Sequence, residues 1–247
     1  MRINSNINIL GGLADFNLIK YFLLSDKNRD IQHVEFTDIR TLKAVKRFKK
    51  VIIESFEVKN EKIMNLLLEY VKNENIENLS YILFLMLSNN NDLFMYLNEN
   101  VFLPVYYSGR MTLKKDEIVL CLKDLQKTNE DLKKWSDSTL ETTASKYLTL
   151  LKKLGLAIGV QKKEIVYKSP SFEDFVLFNY FFDQIEPEAN KYNSKWIQYS
   201  FFEKDFFIQK ILDKKLMRFL EIHFSGDNLK IKTLTNYQEL YYALKSA

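Results

Sequence analysis

The sequence has 247 residues, of which 47% are hydrophobic and 14% aromatic, so the chain can bury a sizeable core. A single cysteine and two distant histidines exclude an internal disulfide framework and the usual zinc constellations. The net charge of +4 is too small to identify a partner, and the longest apolar run is far short of the roughly 20 residues that span a bilayer. We therefore expect a soluble, cytoplasmic protein.

Few glycines and prolines, and apolar residues that recur mostly at helical spacing, predict a mainly α fold. The first part of the chain, residues 1–105, is predicted to form an N-terminal helical bundle. Gly11 and Gly12 precede an apolar helix, and Pro104 and Gly109 break the helical pattern at the far end. Asn-rich turns separate three short predicted helices: Glu61–Lys72, Leu79–Ser88 and Asp92–Asn100.

One helix of this bundle is strongly basic. Between Asp38 and Val51, apolar residues keep helical spacing beneath a row of cations. These cations are Arg40, Lys43, Lys46, Arg47, Lys49 and Lys50. Such a face is often plain solvated surface, and a phosphate-contacting face is the main alternative. Binding to a membrane surface is disfavoured, because no wide aromatic wedge accompanies the charges.

The next region, residues 106–170, has the element order of a winged helix-turn-helix. A helix is predicted from Thr112 to about Lys127, with its first residue as the N-cap. A short helix follows over Asn129–Trp135, and then a long helix. Beyond the long helix, alternating apolar residues predict a two-strand hairpin that turns at Gln161–Glu164. In a winged helix-turn-helix the long helix enters the major groove and the hairpin touches the flanking backbone.

The long helix has clear start and stop signals. Ser136, Asp137 and Ser138 are good N-cap residues, and Gly155 suits a left-handed C-cap. Its core face is predicted from apolar residues at helical spacing: Leu140, Ala144, Tyr147, Leu148, Leu151 and Leu154. The opposite face carries short hydrogen-bonding side chains, and such a face can read a nucleic acid.

We predict that the long helix, the hairpin and the basic helix contact duplex DNA. The DNA-binding residues predicted on the basic helix are Arg40, Lys43, Lys46, Arg47 and Lys50. Five residues of the long helix are predicted to face bases or phosphates: Ser138, Thr139, Thr142, Ser145 and Lys146. Lys162 and Lys163 are predicted to form the wing contact. Asp137 and Glu141 would repel phosphate unless they turn aside or accept from a cytosine amino group. Winged helices also serve as protein-interaction modules, so an interaction scaffold remains an alternative.

The last region, residues 171–247, is predicted to be helical with a small β-hairpin. Phe172–Ile185 forms a very aromatic helix, which packs against the winged helix and the helices of Lys195–Leu212 or contributes in part to an interface. The remaining predicted elements are hairpin strands over Leu216–Phe224 and Leu229–Leu234, and a final helix over Asn236–Leu244.

Enzyme signatures are absent from the sequence. It contains neither a P-loop nor a dinucleotide-binding glycine motif. His33 and His223 lack a neighbouring nucleophile or metal cluster, and the adjacent Glu173 and Asp174 point apart on a helix. We expect no enzymatic activity, no cofactor, no metal and no small-molecule substrate.

Three segments of the sequence are distinctive: G-G-L-A-D-F-N-L-I-K-Y-F-L, T-L-K-A-V-K-R-F-K-K and W-S-D-S-T-L-E-T-T-A-S-K-Y-L-T-L-L-K-K-L-G-L. They resemble the BrxA family of BREX bacteriophage-exclusion systems. The resemblance spans roughly Ile9 to Pro170, and the third segment is its most specific part. It implies a non-enzymatic winged-helix protein that binds double-stranded DNA and works with other BREX proteins, among them a methyltransferase and large ATPases. An RNA-binding, antitermination-like factor is a further alternative.

Overall fold

The computed structural model describes residues 3–25, 41–56, 60–160, 162–187 and 189–246. These residues form helices joined by short turns, together with two small antiparallel sheets, so the predicted mainly α class is confirmed. The chain divides into two compact units. The first unit comprises Met1–Glu57 and Val71–Tyr167, and the second comprises Val58–Tyr70 and Lys168–Ala247. The division into three regions that we expect from the sequence, residues 1–105, 106–170 and 171–247, stays a prediction.

The helices before residue 110 follow the predicted pattern closely. In chain order they are α1 (Asn6–Leu10), α2 (Asn17–Leu24), α3 (Leu42–Phe56), α4 (Glu61–Asn73), α5 (Ser80–Asn90), α6 (Asp92–Leu97) and α7 (Leu103–Tyr107). The helices predicted at the positions of α4 and α5 are confirmed, with ends that differ by one or two residues, as helix ends commonly do. Helix α1 packs against α3, and α3 packs against α2 and α5.

Pro104 does not break the helical run, contrary to the sequence prediction. A π-helical turn, Asn98–Phe102, links α6 to α7, and Pro104 lies in the first turn of α7. A proline is tolerated there, because the first N–H groups of a helix have no intrahelical partner. The run ends instead at Gly109, whose positive φ of 74° is a conformation that favours glycine.

A three-stranded sheet and three helices complete the first unit. They are β1 (Thr112–Leu113), α8 (Lys115–Thr128), α9 (Glu130–Lys133), α10 (Asp137–Lys153), β2 (Ala157–Ile158) and β3 (Lys163–Ile165). Strand β3 lies between β1 and β2 and is antiparallel to both, since Glu164 is opposite Thr112 on one side and Ile158 on the other. Helix α10 packs against both α8 and α1.

Two predicted boundaries in this region are wrong. Thr112 is not a helix cap, because it pairs with β3, and α8 begins only at Lys115. The hairpin does not turn at Gln161–Glu164. Its first strand ends at Ile158 because Gly159 follows with a φ of 92°, and its return strand begins at Lys163. Gln161 itself lies outside the described residues.

The caps and core face predicted for α10 are confirmed. The Ser136 hydroxyl accepts a hydrogen bond from the Thr139 N–H at 3.3 Å, as an N-cap should. At the other end Gly155 has a φ of 66°, and the Leu156 N–H donates to the Leu151 carbonyl at 2.8 Å in a Schellman-like closure. All six predicted core residues of this helix are buried.

One side chain of that core face makes a buried polar network. The Tyr147 hydroxyl donates to the Asn98 amide oxygen at 2.7 Å, and the Asn98 amide nitrogen donates to the Ser88 hydroxyl at 3.0 Å. All three side chains are fully buried. The network therefore fixes α10 to the π-helical turn and to α5 with paired polar groups, which an apolar contact alone would not orient.

The second unit is built around an aromatic helix. This helix is α11 (Phe172–Ile185). The elements after it are α12 (Lys204–Ile211), β4 (Leu220–Ser225), β5 (Asn228–Thr233) and α13 (Leu240–Lys245). Phe175 and Phe178 of α11 both meet the ring of Phe207 in α12, at centroid distances of 5.3 and 5.9 Å. Most of the aromatic surface of α11 is therefore internal to this unit.

The predicted bounds of the last elements need two corrections. Residues Lys214–Arg218 form a 3-10 turn, so the first hairpin strand begins at Leu220 and not at Leu216. The final helix begins at Leu240 and not at Asn236, because residues 236–239 form a turn. The Asn236 side chain accepts from the Gln238 N–H at 3.1 Å, which stabilises that turn.

Candidate nucleic-acid interface

Four of the five DNA-binding residues predicted on the basic helix form an exposed row along α3. They are Lys43, Lys46, Arg47 and Lys50. Only Lys50 of these has an acidic neighbour at salt-bridge distance among the described residues, Glu54 at 3.8 Å. Arg40, the fifth predicted cation, lies outside the described residues. We call these four exposed cations the α3 stripe.

The hydroxyl side chains of α10 differ in exposure. Ser138 and Thr142 are exposed, whereas Thr139 and Ser145 are half-buried. The Ser145 hydroxyl donates to the Glu141 carbonyl of its own helix at 3.0 Å, and the Thr139 hydroxyl shares a hydrogen bond with Ser136. Thr142 therefore presents the most accessible hydroxyl in the middle of the helix.

The acids at the head of α10 are paired with lysines of α8. Asp137 lies 3.1 Å from Lys123, and Glu141 forms an ion pair with Lys115. All four side chains are partly exposed, so these pairs contribute little to stability. Their effect is electrostatic, because each lysine offsets a negative charge that would otherwise repel phosphate at this end of the helix.

Lys146 does not lie on an open face, contrary to the sequence prediction. It is half-buried beneath the end of α1, where Gly11 comes so close that an added Cβ would lie 2.5 Å from the Lys146 carbonyl oxygen. A Cβ on Gly12 would lie 3.6 Å from the Lys146 ammonium nitrogen. Gly11 therefore allows the backbone at the end of α1 to approach α10, a close approach that a side chain at this position would prevent.

Lys153 lies on the same side of α10 and is also half-buried. Its ammonium donates to the Leu13 carbonyl and lies 5.8 Å from the centroid of the Phe16 ring. Burial, with a smaller contribution from the charge of Lys146, lowers the pKa of Lys153. This lysine, which we did not predict as a site residue, holds the segment after Gly12 against α10.

Helix α1 brings the two basic elements together. It packs against α3 on one side and against α10 on the other. A groove between α1 and α3 is lined by Gly12, Lys43 and Arg47, and the Lys146 ammonium approaches the same glycine. Cations from two predicted DNA-contacting helices thus border one short segment. The Gly11-Gly12 pair was the available sequence signal, because adjacent glycines indicate a close backbone approach.

The two wing lysines have different environments. Lys162 is exposed, whereas the Lys163 ammonium donates to the carbonyls of Gly159 and Val160, both at 2.7 Å. Burial and the nearby charge of Lys152 lower the pKa of Lys163. The side chain of Val160 at the hairpin tip is 83% exposed, a feature that the sequence reasoning missed. Lys163 therefore braces the turn, and Lys162 and Val160 project from it.

No helix among the described residues is long and apolar enough to cross a membrane. Within the same part of the chain, no group of three or more His, Cys, Asp or Glu side chains is placed to hold a metal ion.

Comparison with known proteins yields one match. A family model described as BrxA matches residues 26–175, which is more than half of the 247 residues. The matched range covers α3, α10 and the β2–β3 hairpin. Neither a curated protein nor a solved structure matches the chain.

Proposed function

The chain belongs to the BrxA family, and from this premise we propose that it is a non-enzymatic, cytoplasmic protein that binds double-stranded DNA. Family membership associates it with BREX phage defence. Its partners in this proposal are duplex DNA and other BREX proteins. The proposal assigns the DNA contact to the α3 stripe, α10 and the β2–β3 hairpin.

The order of elements supports a winged helix-turn-helix. Helices α8 and α10 are joined by the short α9, and β2 and β3 form the hairpin that follows. Strand β1 precedes α8 and pairs with β3, which gives the sheet order β1-β3-β2. A strand before the first helix, added to the hairpin after the second, is the topology expected of a winged helix, in which α10 is the recognition helix.

The observation that carries the proposal is the arrangement of charge around Gly12. Lys43 and Arg47 of α3 line the same groove as this glycine, and the half-buried Lys146 of α10 approaches the glycine with its ammonium, although the two helices are far apart in the sequence. Clustered cations from separate elements are the electrostatic footprint of a phosphate-binding surface. The α3 stripe extends this footprint with Lys46 and Lys50, which are both exposed.

The contacts divide by role. Thr142 and Ser138 are exposed on α10 and can donate to or accept from base edges. The cations of α3 and the exposed Lys162 bind phosphates, which position the protein without reading sequence. Lys163 acts indirectly, because its ammonium holds the hairpin turn in shape.

A mobility-shift titration with Thr142→Glu tests this assignment. A carboxylate in the middle of the recognition helix would face DNA phosphates, so we expect duplex affinity to fall by about tenfold or more. Gln238→Glu, an exposed change of equal charge in the second unit, is the matched control and should bind as the unmodified protein does. Equal affinities for the two variants would contradict the role of α10.

The same titration over a salt series separates duplex DNA binding from its alternatives. Phosphate binding predicts that log affinity for duplex falls linearly with log salt. Tighter binding of single-stranded RNA than of duplex DNA would favour the antitermination-like alternative. Absence of any nucleic-acid binding at low salt would leave the interaction scaffold.

One observation favours the scaffold as a second candidate. Ile158 and Val160 are 54% and 83% exposed at the hairpin. Contact of apolar side chains with water is unfavourable, and exposed apolar surface marks sites of protein interaction. If the hairpin docks on a BREX protein, Val160→Asp should abolish co-purification with that protein while leaving duplex affinity within about twofold. Loss of duplex binding in this variant would instead place the hairpin tip on DNA.

A further inference from the structure

The exposed face of α10 carries two carboxylates to which the proposed function gives no role. Asp137 and Glu141 are four residues apart, so they lie one turn apart on the face that also presents Ser138 and Thr142. Their side chains are 79% and 48% exposed, so a molecule that meets this face reaches both carboxylates. A carboxylate repels phosphate and only accepts hydrogen bonds, so its partner on duplex DNA is a base edge that donates.

Each carboxylate is held by a lysine of α8 through one of its two oxygens. The Lys123 ammonium lies 3.1 Å from Oδ1 of Asp137, and the Lys115 ammonium pairs with Oε2 of Glu141. A carboxylate has about four acceptor positions on its two oxygens, so Oδ2 of Asp137 and Oε1 of Glu141 keep acceptor capacity. Each pair therefore presents an acceptor and a cationic donor side by side.

The major-groove edge of a C·G base pair matches such a pair of charges. Cytosine presents its amino group there, and guanine presents the acceptors O6 and N7. The carboxylate can accept from the amino group while the ammonium donates to O6 or N7. An A·T pair matches less well, because adenine places the acceptor N7 beside its amino group, where it repels a carboxylate, and thymine places a methyl group beside its one acceptor.

We propose that Asp137 with Lys123, and Glu141 with Lys115, make the protein prefer duplexes that contain C·G base pairs. This specificity rests on the proposed function, in which α10 enters the major groove. Four residues of an α-helix rise about 6 Å and successive base pairs are about 3.4 Å apart, so the two pairs contact different base pairs. The two carboxylates do not oppose DNA as that of Thr142→Glu would, because the lysines offset their charge.

Fluorescence anisotropy with three duplexes of one alternating G–C sequence tests the proposal. In the second duplex N4-methylcytosine replaces cytosine, which keeps the base pairing but puts a methyl group in place of the groove-facing N–H. In the third, inosine replaces guanine, which removes an amino group from the minor groove only. We expect N4-methylation to weaken binding by about tenfold or more, and inosine to change it by less than about twofold. Equal affinities for the methylated and unmethylated duplexes would overturn the proposal.

A matched pair of double variants assigns the preference to the two carboxylates. Asp137→Ala with Glu141→Ala removes them, and Asp116→Ala with Asp124→Ala removes two exposed carboxylates of α8. Both variants lose two negative charges, so we expect both to bind all duplexes at least as tightly as the unmodified protein does. Only the first should bind methylated and unmethylated duplexes equally, to within about twofold. A preference that survives in the first variant, or that is lost in both, would overturn the assignment.

The lysines are tested with 7-deazaguanine, which lacks the N7 acceptor. We expect this base to weaken binding of the unmodified protein by about threefold or more and to have no further effect on Lys115→Ala with Lys123→Ala. An equal loss in the double variant would overturn the contact of these lysines with guanine.

A salt series separates failure of this inference from failure of the proposed function. If the three G–C duplexes bind equally and log affinity falls linearly with log salt, the cytosine preference is wrong and duplex binding stands. If none of them binds at low salt, both proposals are wrong. A preference for unmethylated cytosine that persists along the whole series supports both.

Discussion

At the scale of single residues, the contact between Gly11 and Lys146 determines how α1 packs on α10. We predict that Gly11→Ala destabilises the protein by about 1–3 kcal/mol, because its Cβ would lie 2.5 Å from the Lys146 carbonyl oxygen and must force the helices apart. Urea unfolding measures the loss. Gly12→Ala is the control, since its nearest contact would be 3.2 Å and the loss should be smaller. Equal stability of Gly11→Ala and the unmodified protein would contradict the close packing.

Cys121 allows a pH-dependent prediction at the same scale. It is the only cysteine in the chain, and burial raises the pKa of its thiol to about 11. Only the thiolate is alkylated, and a raised pKa lowers the fraction of the thiol that is deprotonated. We therefore expect slow reaction with iodoacetamide at pH 8. The rate in the folded protein should still rise about tenfold per pH unit through pH 9–10, where the urea-unfolded protein levels off. Mass spectrometry follows the modified fraction, and identical pH profiles would contradict the prediction.

At the scale of elements, the α3 stripe carries the clearest prediction for duplex binding. Arg47→Ala with Lys50→Ala removes two exposed cations, and we expect duplexes of all sequences to bind more weakly to the same degree. The plot of log affinity against log salt should flatten by about one unit for each lost phosphate contact. Fluorescence anisotropy over a salt series measures both effects.

The control for this experiment removes the same charge elsewhere. Lys230 and Lys232 are exposed on β5 in the second unit, and changing both to Ala should leave the salt slope unchanged. A full slope in the α3 variant would show that the stripe is plain solvated surface and that DNA contact, if any, is confined to α10 and the hairpin.

At the scale of the whole molecule, the second unit draws part of its core from a distant segment. The Tyr70 hydroxyl of α4 donates to Glu173 at 2.9 Å, and its ring meets that of Tyr241 at 5.0 Å. The Asn60 side chain donates to Gln184, also at 2.9 Å. The C-terminal part of the chain therefore lacks a complete core without residues 61–70 of α4.

The contribution of α4 to the core of the second unit predicts how a C-terminal fragment behaves. Residues 168–247 alone should show no cooperative thermal unfolding by circular dichroism, because the segment that covers α11 and α13 is missing. A peptide of residues 60–73 should restore a cooperative transition, and the same peptide with Tyr70→Ala should restore it less. Cooperative unfolding of the fragment by itself would contradict the assignment of α4 to this unit.

Much of the candidate site was predictable, because it depends on local rules. The α3 stripe follows from charge and helical spacing, and the bounds of α10 follow from Ser136 and Gly155 at its ends. The burial of Lys146 was not predictable from its helix alone. On the isolated helix it falls on the polar face, and only a second element covering that face could bury it.

The sequence by itself determined the mainly α class, the extent of α4, α10 and α11, and the family, because caps, apolar periodicity and specific segments act over a few residues. Tertiary structure alone decided which distant segments meet. It placed Thr112 in a strand by pairing it with β3, joined α4 to the C-terminal unit, and brought α1 between α3 and α10. Such pairings depend on complementary surfaces that are far apart along the chain, and no local pattern records which partner a surface will have.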